Sequence, residues 1–249
     1  MSLAAPREWR VGRSGIAVCP CVGARPLHHS GMARYLDRRD AGRRLAVLLA
    51  PFKSGSTVVL GLPRGGVIVA AECAEALGAP LDVLVARKIG APHQPEYAIG
   101  AVAPGGIVLL DNDAIAALAL APGFLDGAVA EATAEMARRE TLYRDGRSAL
   151  AVSGRTAIVV DDGLATGFTA AAALASLRRL DPERLVFAAP VCAPASGKRL
   201  DVADEVICAR TPLMFRAVGE WYDRFDQTTD EEVIGCLRAA RHLRSAAEG

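Results

Sequence analysis

Two adjacent carboxylates, Asp161 and Asp162, open the stretch of the chain best suited to chemistry, Val159-Val-Asp-Asp-Gly-Leu-Ala-Thr-Gly-Phe-Thr-Ala170. Before them lies a short β-branched run; after them, small and hydroxyl residues lead into a helical pattern. The first turn of a helix carries free backbone N–H groups and the positive end of the macrodipole, which together suit a phosphate. Gly163 and Gly167 let the backbone come close to such a group, and the Thr166 and Thr169 hydroxyls add donors. Two acids beside a phosphate cradle would repel it. The conflict is resolved if Ala165, Thr166, Gly167, Phe168 and Thr169 hold the phosphate of a sugar whose hydroxyls Asp161 and Asp162 grip, or if the acids help to position a divalent cation.

A second anion-binding pattern lies upstream, in Gly61-Leu-Pro-Arg-Gly-Gly66. It is not a nucleoside-triphosphate loop, because Val67 stands where that loop needs lysine, and it is not a dinucleotide fingerprint. What remains is an arginine flanked by glycines at the end of a strand. Arg64 can pair with phosphate oxygens bidentately, while Gly65 and Gly66 expose backbone N–H groups. A third stretch, Arg87-Lys-Ile-Gly-Ala-Pro-His-Gln-Pro-Glu-Tyr97, offers two cations, Arg87 and Lys88. Its glycine and prolines predict an irregular segment, and long irregular segments in compact domains often act as lids. His93 reads as an exposed, uncommitted imidazole.

These groups need a scaffold that brings three distant loops together. Periodicity predicts a helix from near Tyr35 to Pro51, a strand at Thr57–Leu60, a helix at Val67–Leu77 stopped by Gly78, and a strand at Leu81–Ala86. Ile99–Val102 and Ile107–Leu110 read as a hairpin. A long helix over Phe124–Arg144 comes next, then a strand at Thr156–Val160, a helix at Phe168–Leu180, and strands at Leu185–Ala189 and Glu205–Cys208. Pro212–Gln227 is irregular and aromatic, and Asp230–Leu243 is helical. Short apolar strands alternating with helices make an α/β fold, with a mostly parallel central sheet of about five strands flanked by helices. Ligands of such sheets bind beyond the C-terminal edge of the strands, where both glycine loops fall. Residues 1–33 read as a poorly ordered extension, with Met32 an alternative start, and 34–249 as the domain proper.

Lys and Arg number 29 against 28 Asp and Glu, which gives no electrostatic basis for nucleic-acid binding. A hydrophobic share of 51% excludes wholesale disorder. Mean hydropathy is +0.23, yet the longest uncharged stretches, Tyr97–Leu110 and Gly163–Leu177, are broken by glycine or proline and fall short of the ~18 residues of a spanning helix. The expected setting is cytoplasmic, with no membrane partner. Cys73, Cys192, Cys208 and Cys236 read as reduced core residues. Cys19 and Cys21, with His28 and His29, lack a zinc-ligand spacing.

The aspartate-pair loop, from Ile158 to Thr169, resembles the phosphoribosyl-diphosphate (PRPP) signature of type I phosphoribosyltransferases. The Gly-Leu-Pro-Arg-Gly-Gly, Arg-Lys-x-Gly-Ala-Pro and Thr-Asp-Glu-Glu pieces are similar to those of an uncharacterised bacterial branch of that family. The resemblance runs from about Tyr35 to Gln227. It implies the type I (Rossmann-like) fold with a small C-terminal hood at about 211–228 and a C-terminal helix at about 230–243. It further implies Mg²⁺-dependent transfer of 5-phosphoribose from PRPP to a small nitrogenous base or amine. In that scheme Asp161 and Asp162 hold the ribose diol and the metal, through water, and residues 165–169 hold the 5′-phosphate. Arg64, Gly65, Gly66, Arg87 and Lys88 meet the pyrophosphate, and Glu96 and Tyr97 lie on the returning arm of the lid. In the hood, Phe215 and Trp221 compete for the base-stacking role, because Phe215 lies one residue further from Gly219 than the family pattern has it. A PRPP- or nucleotide-binding regulator with little catalysis is the alternative, and a homo-oligomer is open. No Gly-x-Ser-x-Gly elbow supports a hydrolase.

Overall fold

A computed structural model of the chain describes residues 16–17, 34–194 and 196–247. Cys19, Cys21, His28, His29 and Met32 lie outside the described residues. Of the segment 1–33, the structure describes the two-residue strand β1 (Ile16–Ala17).

The chain then forms α1 (Arg38–Leu49), β2 (Thr57–Gly61), α2 (Gly65–Leu77), β3 (Leu81–Val83), β4 (Arg87–Ala91), β5 (Gln94–Ala103) and β6 (Ile107–Leu110). After these come α3 (Asn112–Ala117), α4 (Pro122–Arg144), β7 (Thr156–Val160), α5 (Phe168–Arg178), β8 (Arg184–Ala189), β9 (Glu205–Cys208) and α6 (Asp230–Ala247). The central sheet has the order β1-β9-β8-β7-β2-β3, and every pairing in it is parallel. Its strands are buried on both faces, as their β-branched runs require. One face packs Val59, Ile158 and Val160 against α1, α2 and α6. The other packs Val58, Val159 and Phe187 against the alanine-rich face of α5. Among the described residues no helix is long and apolar enough to cross a membrane.

The strand order sets the place of the site. After β2 the chain steps outward to β3, then returns to lay β7 on the other flank of β2. In open α/β sheets the crevice at such a reversal is where ligands bind. Here it lies between the C-terminal ends of β2 and β7.

Two expectations are corrected. Residues 87–96 are not irregular: β4 and β5 form an antiparallel hairpin, with β6 completing a three-stranded sheet. Ile89, Ala91, Ile99 and Val102 bury its apolar side. The pairing accommodates Gly90 by a register shift on each side of it, and His93 takes the left-handed conformation at the turn. Nor are Cys192 and Cys208 reduced, because they form a disulfide across the ends of neighbouring strands, with Cα atoms 5.9 Å apart. Parallel β8 and β9 align Ala189 with Cys208, and the Cys192 N–H donates to the Arg210 carbonyl at 2.9 Å. Cys73 and Cys236 are free and buried, as expected.

Candidate active site

β2 and β7 run side by side with Gly61 opposite Val160, and the Leu62 N–H donates to the Val160 carbonyl at 2.9 Å. The two loops that follow therefore leave the sheet as neighbours. The first turns at once into α2, whose opening residues, Gly65 and Gly66, press on the aspartate pair. A Cβ on Gly66 would stand 2.8 Å from the Asp161 Cα and from the Val160 carbonyl oxygen, and one on Gly65 would overlap the Asp162 carboxylate. Glycine is needed at both positions for close approach, not for turn geometry. The Pro63–Arg64 peptide is cis.

Asp162 donates its backbone N–H to Asp161 Oδ1 at 2.8 Å. Burial and the neighbouring Asp162 charge hold the Asp161 carboxyl well above the usual carboxylate range. Asp162 receives Arg38 Nε on Oδ2 at 2.8 Å and the Tyr222 hydroxyl on its main-chain oxygen at 2.6 Å. Burial, then the Asp162 charge, pushes the Tyr222 phenol upward, so it stays a donor. Arg38 and Tyr222 were not singled out from sequence. Tyr222 lies in the aromatic segment that drew attention to Phe215 and Trp221; Arg38, 124 residues before its partner, carries no local signal.

The loop expected to hold a phosphate follows directly. Leu164 is bridged to Cys192, its N–H donating to Val191 O and its carbonyl accepting from Ala193 N, both at 2.8 Å. Ala165 and Thr166 are exposed, and Gly167 caps α5 in the left-handed conformation, φ 82°. Phe168 is buried and Thr169 half-buried, so the loop presents backbone to solvent while its aromatic ring anchors the helix. Arg199, also missed from sequence, lies with its guanidinium 4.0 Å from the Phe168 ring centre.

Two of the cations assigned to pyrophosphate, Arg64 and Arg87, are engaged by acids of the protein. Arg64 lies 3.9 Å from Asp230 at the start of α6, and Asp230 also accepts from the Tyr143 hydroxyl at 2.5 Å. Arg87 lies 3.8 Å from Glu135 on α4, whose carboxyl is drawn down to about 2 by hydrogen bonds from Arg138 and Arg139. Lys88 stands opposite Ala101 in the hairpin, half-buried. In the hood, Trp221 closes a 3-10 turn over Val218–Trp221 and packs with Tyr35 and Tyr222. Its buried Nε1 has no hydrogen-bond partner among the described residues. Phe215 is half-buried.

Among the described residues no group of three or more His, Cys, Asp or Glu side chains is placed to hold a metal. Asp162 Oδ2 is committed to Arg38, and burial together with the Asp162 charge disfavours a bare carboxylate at Asp161. This donor set does not build a resident magnesium site. What this acid pair could offer a cation is contact through water, to an ion brought in by a ligand.

A family model described as "Phosphoribosyl transferase domain" matches residues 47–220. Two Mycobacterium tuberculosis proteins, named "Putative phosphoribosyl transferase Rv0571c" and "Putative phosphoribosyl transferase MT0597", are each 44% identical over 217 residues, covering 86% of this chain and 49% of their own length. The chain thus spans about half the length of the curated relatives it matches. The crystal structure of TT1426 from Thermus thermophilus is 43% identical, with 82% of this chain and 97% of that chain covered, at a TM-score of 0.68. By a domain match over most of its length, and by relatives of this identity, the chain belongs to the phosphoribosyl transferase domain family.

Proposed function

We propose that the protein transfers 5-phosphoribose from PRPP to a small nitrogenous base or amine, with Mg²⁺ carried in on the pyrophosphate. The observation that supports this most is the meeting of three loops at the β2/β7 reversal: the acid pair after β7, the glycine–arginine turn after β2, and the capped start of α5. Each suits one part of a single ligand. The α5 turn, Ala165 to Thr169, takes the 5′-phosphate, and Asp161 and Asp162 accept from the ribose hydroxyls. Arg64, Gly65 and Gly66, with Arg87 and Lys88 from the hairpin, face the pyrophosphate. A ring or amine nitrogen attacks the anomeric carbon as its bond to the pyrophosphate oxygen breaks. The nitrogen then passes its proton to water, and pyrophosphate leaves with the electron pair of the broken bond; Mg²⁺, when bound, would offset the charge on that leaving group. Charge builds on the ribose and the leaving group, so positioning and electrostatics carry the catalysis. Trp221, whose indole N–H has no partner among the described residues, is favoured over Phe215 as the aromatic nearest the base.

The reading places the protein in the cytoplasm, with no nucleic-acid or membrane partner. The Cys192–Cys208 crosslink pulls against that setting, since cytosolic thiols are ordinarily kept reduced. The contacts of Arg64 with Asp230 and of Arg87 with Glu135 favour a second reading, a PRPP- or nucleotide-binding regulator with little turnover. One experiment separates the two. Protein, Mg²⁺ and PRPP are incubated with pooled purines, pyrimidines and amines, and pyrophosphate release is followed. Acceptor-dependent release supports the transferase; binding of PRPP with no release from any pool supports the regulator.

A further inference from the structure

Arg38 opens α1, upstream of the residues that the family model matches. Its side chain is 13% exposed, and two of its nitrogens and one face of the guanidinium are engaged. Nε donates to Asp162 Oδ2 at 2.8 Å, Nη1 donates to the Asp226 carbonyl at 2.7 Å, and the guanidinium lies 3.9 Å from the centre of the Phe225 ring. A guanidinium held in this way on its face and on two nitrogens is built into the protein, not extended toward a ligand.

Its supports belong to one clasp. The segment after Trp221 lies along the residues before Arg38: the Tyr35 N–H donates to Trp221 O, the Asp223 N–H to Tyr35 O and the Arg224 N–H to Leu36 O, at 2.8–3.0 Å. From the same clasp, Tyr222 reaches the main-chain oxygen of Asp162, and its ring packs 4.9 Å from that of Phe225. Asp162 is therefore held twice by the clasp, at its carbonyl by Tyr222 and at its carboxylate by Arg38. The glycine turn closes the third side, because a Cβ on Gly65 would fall 2.5 Å from Arg38 Nε.

We propose that Arg38 is a positioning residue that sets the Asp162 carboxylate for the ribose diol: by taking Oδ2 it leaves Oδ1 to accept from a sugar hydroxyl, and it supplies the counter-charge that lets a second carboxylate stand beside Asp161. This rests on the phosphoribosyl reading and adds to it a residue that acts on sugar selection through Asp162. The guanidinium fork is required, since a lysine ammonium is a point charge that cannot hold both Asp162 Oδ2 and Asp226 O in this geometry.

The test compares two sugars that differ by one hydroxyl. Ribose 5-phosphate and 2-deoxyribose 5-phosphate are titrated against the full chain by calorimetry, and circular dichroism confirms folding of each variant. The parent is expected to prefer the ribose form by roughly tenfold or more, as for a hydrogen bond to a charged group. Arg38→Ala should bring that preference to within about threefold while changing the affinity for the deoxy sugar by less than about twofold. In Asp162→Asn, adding Arg38→Ala should cost nothing further in preference, because the two act as one unit. Should Arg38→Ala fail to fold, Arg38→Lys carries the same expectation. A folded Arg38 variant that keeps the full preference, or that loses both sugars equally, overturns the proposal. A parent that binds neither sugar phosphate brings down the phosphoribosyl reading first, and this proposal with it.

Discussion

Asp161 sits where folding least favours a charge, at the end of a buried strand and beside a second carboxylate. Its raised pKa has a consequence of definite sign. Above the ordinary aspartate value of 3.8, the unfolded chain has lost this proton while the folded chain keeps it up to the raised value. The folded state therefore loses stability as pH rises through that window, and the deficit persists at pH 7. Asp161→Asn removes the ionisation and preserves the oxygen that accepts from the Asp162 N–H. The variant should melt higher than the parent at pH 7, by roughly a few degrees for a domain of this size. The two melting curves should converge as pH falls below about 4, the ordinary aspartate value. Its response to PRPP should be lost. A lower melting point at pH 7 would mean that the carboxylate stabilises the fold. This pairing of functional gain with stability cost is what a site residue should show, whereas a structural carboxylate would reverse it.

At the level of elements, α2 is placed by its first turn. Gly66 touches backbone of the β7 end, which cannot move aside, whereas a Cβ on Gly127 in α4 would meet open space. Gly66→Ala should therefore destabilise by about 1–3 kcal/mol from overpacking, and Gly127→Ala should stabilise by up to about 1 kcal/mol through helix propensity. Urea midpoints of the two variants check the contrast; equal shifts would contradict the close approach assigned to α2. The elements that sequence disclosed best are those with a strong period. Thr57–Leu60, Thr156–Val160 and Leu185–Ala189 read as buried strands because branched residues crowd them, and they fall within one or two residues of their observed bounds. The hairpin of β4 and β5 was hidden because Gly90 and Pro95 read as loop residues like the turn residue Pro92, and only strand pairing makes those two otherwise. The disulfide was hidden for a similar reason: a sequence separation of 16 between Cys192 and Cys208 gives no sign that β8 and β9 end side by side.

Across the whole molecule, the site depends on topology more than on any one loop. The return of the chain from β3 to β7 brings Gly65 against Asp162, though nearly a hundred residues separate them. The segment at Tyr35 and the hood at Tyr222 converge on the same aspartate. The local halves of the candidate site, Asp161 to Thr169 and Arg64 to Gly66, were legible as strand–loop–helix units, each with its own residue chemistry. Arg38 was not, because a contact made by folding alone leaves no spacing to read. The central claim is that these pieces form one PRPP site, and titration of the full chain with PRPP in the presence of Mg²⁺ tests it most directly. The account predicts saturable binding at one site per chain, with a rise in thermal stability of about 2.7 kcal/mol at one hundred times the dissociation constant. Adenosine monophosphate, which has the 5′-phosphate but no pyrophosphate, should produce a smaller rise. A folded protein that shows neither heat nor thermal shift with PRPP and Mg²⁺ would contradict the account.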